Sequence, residues 1–183
     1  QDNRFYISTD DGASFAVSTP WSSGGTPGHI RAIVYTNSSW VIAYSRSNNI
    51  FFRSCAAADI TDWGTEFEPS SDMSDMGTQF TKRVSMAAAS GRVAAISTAD
   101  DLFTYFDVSG KTISNTGQID PGTLQIHDIA TDGTTWIAVG EDGDIWESTD
   151  SAESWSIIVN ALEFADGTID DFESVCCDVF LPV

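Results

Sequence analysis

The chain repeats itself. "IRAIVYTNSSWVIAYSRSNNIFFRS" (30–54), "RVSMAAASGRVAAISTADDLFTYF" (83–106) and "IHDIATDGTTWIAVGEDGDIWESTD" (126–150) follow one plan. A short strand meets a polar turn. A second strand follows ("WVIAY", "RVAAI" or "WIAV"), then an acidic or Asn-rich turn, then a third strand ("IFFRS", "LFTYF" or "IWES"). A fourth strand is expected in each unit, around Glu66–Phe67, around Thr112–Ser114 and in "SWSIIV" at 154–159. The strands are read from alternation and from β-branched and aromatic residues, bounded by Gly, Asn and Asp. No segment keeps a helical period, and the Ala run in "TQFTKRVSMAAAS" reads as the start of a strand because of its place in the repeat. A unit of this size cannot bury its own faces. It must stack on its neighbours.

Aligning Trp40, Arg92 and Trp136 sets a period of about 45 residues, with four strands per unit, which is the pattern of a β-propeller blade. The ends complete one another: "DFESVCCDVFLPV" reads as the first and second strands of a unit, and "NRFYISTDDGASFAVS" as the third and fourth. The expected fold is therefore all-β, a small propeller of about four four-stranded blades in one domain. The blades fall at 172–183 plus 1–19, 30–71, 81–119 and 126–160. Sharing a blade between the two ends ties the last sheet to the first by strand hydrogen bonds. Pro182 lies where a second strand is expected and lacks the N–H such a strand donates, so this blade is expected to be irregular.

The turn in "STDDGASF" resembles the Asp-box, or BNR repeat, roughly S-x-D-x-G-x-T-W. Ser8, Asp10, Gly12 and Phe15 fill the pattern, with Ser14 in place of Thr. "STDSAESW" fills it with Ser148, Asp150 and Trp155, with Ala152 for Gly and Ser154 for Thr. "SCAAADITDW" (54–63) looks like a third copy with insertions, and 83–119 keeps only "YFDVSGKT". The spacing has a structural logic. Asp and Ser side chains in a turn accept backbone N–H groups that the ladder no longer serves. Gly permits positive φ, and the aromatic packs back on the sheet. These residues are expected to shape the hairpin and to take no part in catalysis.

The same resemblance raises glycoside hydrolysis, because Asp-box propellers include sialidases. Such enzymes use three Arg on the substrate carboxylate, a Tyr paired with Glu, and an acid/base Asp. None of the six Arg here stands in the motif that the family places near its start, and four units fall short of six blades. No nucleophile elbow or phosphate loop occurs. The expectation is no enzyme, with a sialidase-like fragment as the alternative.

Composition narrows the partners. The formal charge is −19, a field that repels phosphate backbones and anionic lipid surfaces. No nucleic acid is expected as a partner. No apolar run is long enough to span a bilayer, so no membrane insertion is expected. Cys55, Cys176 and Cys177 include a vicinal pair with no metal-ligand spacing, and read as free, partly buried thiols. The first residue is Gln and no basic, apolar leader follows, which leaves open a processed chain or a piece of a longer one.

Candidate binding residues lie on the expected face of the second-to-third-strand turns and inter-blade loops: Trp21, His29, Asp100, Asp101, Glu141, Asp142 and Asp144. Long loops on a rigid scaffold are where recognition concentrates. His29 and His127 both start first strands and read as repeat-equivalent positions more readily than as a metal pair. No cofactor is expected. Calcium remains conceivable through converging carboxylates. The partners implied are other protein subunits of a larger assembly or a surface glycan. Similar acidic Asp-box propellers occur in tail, fibre and capsid-associated proteins of bacteriophages. That resemblance implies a structural protein of the virion, or else an extracellular one.

Overall fold

The computed structural model describes residues 5–8, 10–18, 28–46, 49–67, 84–97, 102–119, 125–160 and 171–176. They form an all-β layout. The strands are β1 Phe5–Ile7, β2 Ala16–Ser18, β3 His29–Thr36, β4 Ser39–Arg46, β5 Asn49–Ala56, β6 Val84–Ala89 and β7 Arg92–Ser97. There follow β8 Leu102–Asp107, β9 Ile113–Gln118, β10 Ile126–Thr131, β11 Trp136–Gly140, β12 Ile145–Ser148 and β13 Ser156–Val159.

Among the described residues these make four antiparallel sheets, each in sequence order: β1-β2, β3-β4-β5, β6-β7-β8-β9 and β10-β11-β12-β13. Phe67 adds a fourth-strand bridge to the second of these, exchanging both backbone hydrogen bonds with Phe52 (2.9 and 3.1 Å). The expected fourth strand at Thr112–Ser114 is longer than read, running through Gln118.

Sequence order within a sheet follows from the turns. Asn37–Ser38 and Ser90–Gly91 carry positive φ at both central positions, the two-residue geometry whose twist suits antiparallel strands. The longer β10–β11 turn is held by Asp132, whose Oδ1 accepts the N–H of Thr134 and of Thr135, both at 2.8 Å.

The middle strands explain why "VIAY" and "VAAI" read as continuous apolar runs. Val41–Tyr44 and Val93–Ile96 are fully buried, so alternate residues serve opposite faces of a sheet covered on both sides. Val41, Ala43 and Phe52 pack against Val93, Ala95 and Phe106 of the next sheet, with the Phe52 and Phe106 rings 4.9 Å apart. Ala94, Ile96 and Phe103 pack against Trp136, Ala138 and Trp146 of the sheet after that. The first strands come together, β6 lying between β3 and β10.

Pairing corrects the repeat alignment by one residue. Trp40 sits between Tyr35 and Cys55, and Trp136 between Thr131 and Ser148. The residue so placed in the middle unit is Val93, between Ala88 and Phe106, and not Arg92. Arg92 comes first after a tight turn. Its guanidinium joins Asp107 of its own sheet (2.8 Å) to Glu153 of the next (3.2 Å).

The shared blade is met in part. β1-β2 pairs Ile7 with Ala16, as β12-β13 pairs Glu147 with Ser156. The hairpin is thus the outer half of a unit. Residues 171–176 form no strand, and 177–183, with Cys177, Phe180 and Pro182, lie outside the described residues.

Candidate functional site

Polar and ionisable side chains gather in several places among the described residues. The first is the pair of acidic hairpin turns. Ser8 Oγ donates to Asp10 Oδ1 (2.8 Å) and accepts the Gly12 N–H (2.7 Å). Asp10 accepts the Ser14 N–H (2.8 Å) and hydroxyl (2.6 Å). Ser148, Asp150, Ala152 and Ser154 repeat this set bond for bond. Ala152 takes the positive φ that Gly12 has, and its methyl is buried in the core.

These bonds act on charge. Hydrogen bonds from the Ser14 hydroxyl and N–H, then from Ser8, hold Asp10 down to about 2. For Asp150, partial burial pushes up, but hydrogen bonds from Ser154, Ser148 and the Glu153 N–H outweigh it and hold the carboxyl at about 2. Both stay ionised and are engaged in turning the chain.

The expected third copy departs from this. Register places Cys55, not Ser54, opposite Trp40 as Ser148 is opposite Trp136. Asp59 instead caps Thr61, through its N–H (3.0 Å) and hydroxyl (2.6 Å), and Asp62 caps the Gly64 N–H (3.0 Å). Trp63 still ends up fully buried. Burial pushes the Cys55 thiol up to about 11, so it is a core group and not a nucleophile. Cys176 is exposed, against the expectation of partial burial.

The second place is the axis between the first strands, a cavity of about 310 Å³ with Ile33, Ser85, Met86, His127, Asp128 and Glu173 on its walls. A β-bulge at His127 lets it and Asp128 share this region. Asp128 joins two elements, accepting the Ser85 hydroxyl through one oxygen and the Val175 N–H (2.9 Å) through the other. His127 Nδ1 lies 2.9 Å from the Phe172 carbonyl oxygen, so that nitrogen carries the proton and donates it. The Phe172 N–H reaches the Gly140 carbonyl (3.0 Å). Residues 171–176 thus run beside β10 and β11.

His29 is exposed and is not the counterpart of His127. Counting from the paired Tyr35 and Thr131, Arg31 occupies that position, also at a bulge. Glu141, Asp142 and Asp144 do lie together, in a 3-10 turn between β11 and β12. Glu141 accepts the Gln125 N–H (3.2 Å), and the Asp142 N–H reaches Asp171 (3.0 Å). Asp144 is buried. Trp21, Asp100 and Asp101 lie outside the described residues, as do most residues of the four inter-blade loops. Among the described residues no three His, Cys, Asp or Glu side chains are placed to share a metal ion. No helix there is long and apolar enough to cross a membrane.

The third place was not read from the sequence at all. Arg46 grips Glu66 through two bonds (2.9 and 2.7 Å), and Glu66 also accepts the Tyr44 hydroxyl. Arg53 reaches Tyr44 (3.4 Å) and the Gly64 carbonyl (3.3 Å). Burial first, then Glu66, raises the Tyr44 hydroxyl far above its ordinary range. A Tyr–Glu pair with two Arg has the makings of a substrate clamp, but Tyr44 is fully buried and Arg53 nearly so. The cluster ties β4, β5 and the chain at Glu66 together inside the sheet.

No protein-family model matches the sequence, and no curated protein does. Solved structures of similar fold are found. YCF48 from Cyanidioschyzon merolae aligns with TM-score 0.53 and 14% identity, over 84% of this chain and 52% of that one. Hsv2 from Kluyveromyces lactis aligns with TM-score 0.46 and 13% identity, over 64% of this chain and 35% of that one. The chain thus spans about half the length of YCF48 and a third of Hsv2. With the sheet layout, the likeness to YCF48 fits a β-propeller.

Proposed function

We propose that the chain is a non-catalytic β-propeller recognition or assembly module, a structural part of a virion or of another extracellular particle, making protein or glycan contacts. One observation carries the assembly reading. The β1-β2 hairpin groups apolar side chains that stand exposed. Tyr6 is 64% exposed, whereas Trp146, at the same place in the third complete unit, is 2% exposed. Phe15, expected to pack back on the sheet, is instead 62% exposed, and it stands out with Val17 beside Tyr6. Apolar residues grouped on one hairpin mark a contact surface. The four-unit ring, with the blade shared between 172–183 and 1–19, belongs to this reading. It is supported by the outer-half register of β1-β2 and by the course of 171–176 beside β10.

The non-catalytic part rests on how the acidic groups are used. Asp10 and Asp150 hold turns, Asp128 ties two elements, and Glu66 is engaged by Tyr44 and Arg46. The virion setting rests on the resemblance of the acidic turns and on the charge of the chain.

Static light scattering over a range of concentrations, with small-angle scattering, tests the assembly reading. The expected mass rises above the 19.7 kDa monomer with concentration, and a Tyr6→Ser/Val17→Ser variant stays monomeric. A compact monomer at every concentration overturns assembly through this hairpin.

A further inference from the structure

Between the second and third sheets lies a polar groove of about 460 Å³, within the size range of small-ligand sites. One wall is the turn after β5, with Asp59, Asp62 and Gly64. The other is the β8–β9 turn, with Ser109 and Lys111. Gly64, at φ 58, lets the backbone come close beneath Lys111; a Cβ there would lie 3.2 Å from the ammonium.

Three features give the groove its chemistry. Lys111 makes no ion pair with any described residue, although two carboxylates line the same groove. Asp59 and Asp62 each use Oδ1 on their own turns, leaving acceptor capacity toward the opening. Ser54 lines the floor, and its hydroxyl, open to the groove, has no hydrogen-bond partner among the described residues. A hydroxyl that faces the groove and is not engaged by the protein can both donate to and accept from a bound polar group.

The lining excludes most ligand classes. An anion meets two carboxylates in a chain of charge −19. A metal ion meets an ammonium and too few donors. An apolar group finds Ser, Asn and Asp around it and leaves them unpaired. A neutral polyol meets none of these objections. Each sugar hydroxyl both donates and accepts, so it can accept from Lys111, donate to Asp59 or Asp62, and satisfy Ser54 in either sense. We propose that the groove between the Asp59–Gly64 and Ser109–Lys111 turns binds a neutral saccharide unit. The site deepens the recognition reading and rests on it, but lies apart from the β1-β2 hairpin.

The test is nuclear magnetic resonance on the nitrogen-15-labelled chain. Glucose, galactose, N-acetylglucosamine and lactose are titrated at millimolar concentration, with glycine and acetate as zwitterionic and anionic probes. At least one sugar is expected to shift the amides of Ser54, Gly64 and Lys111 saturably, with no effect there from glycine or acetate. Lys111→Met and Ser54→Ala each weaken that binding, the former by about tenfold, while the rest of the spectrum stays unchanged. The proposal is overturned if no sugar shifts these amides, if glycine or acetate does so instead, or if Lys111→Met binds as tightly. Sugar shifts confined to another surface remove the groove and leave the recognition reading standing. Absence of sugar shifts together with a concentration-independent monomer removes both.

Discussion

Asp150 shows how much one side chain holds in this fold. Its carboxylate accepts from Ser148, Ser154 and the Glu153 N–H. Asp150→Ala is expected to destabilise the chain by about 1 kcal/mol, the net worth of such bonds at an exposed turn, seen as a lower urea midpoint. The pH dependence follows from the same bonds. A carboxyl held at about 2, against roughly 3.9 in the unfolded chain, contributes stability that is complete above about pH 4. It is lost as pH falls through about 2. Urea midpoints measured across that window should fall with acidification, and less steeply in Asp150→Asn. Equal slopes would mean that the carboxylate does not carry the effect. These contacts were legible in the sequence because both partners lie within four residues of each other. Arg46–Glu66 and Ser85–Asp128 were not legible, since pairing across sheets sets those neighbours.

At the scale of the element, the β10–β11 pair depends on a close backbone approach. A Cβ on Gly140 would lie 2.1 Å from the Gln125 carbonyl oxygen. Gly140→Ala therefore forces those strands apart, with an expected loss of about 1–3 kcal/mol, checked by thermal unfolding. Gly133, whose Cβ would meet nothing, makes a poor candidate for the same steric effect, so the contrast separates crowding from backbone freedom. Strand identity was legible from the alternation and the turn residues, down to the Asn37–Ser38 turn. The register in the middle unit was not. Arg92 and Val93 are neighbours at the start of β7, and only the pairing of Ala88 with Val93 shows which one matches Trp40 and Trp136. Likewise, counting back from the paired Tyr35 and Thr131 shows that Arg31, and not His29, takes the place of His127.

On the scale of the molecule, face-to-face packing carries the stability. Phe106 is fully buried between two sheets against Phe52 and Phe67. Phe106→Ala should cost about 3–5 kcal/mol and loosen both sheets in one unfolding transition. Separate transitions by calorimetry would mean that the sheets fold independently. A net charge of −19 opposes compaction through self-repulsion, and salt screens it. The melting temperature is therefore expected to rise from low to moderate sodium chloride concentration. By itself the sequence determined the all-β class, the repeat and the acidic hairpin turns. Each of these is written in contacts a few residues apart, or in the two-residue alternation that a strand imposes. Only the tertiary structure decided which faces are covered, which carboxylates are engaged and where the Lys111 groove opens. Those depend on how one sheet lies against the next, through side chains that sit far apart along the chain.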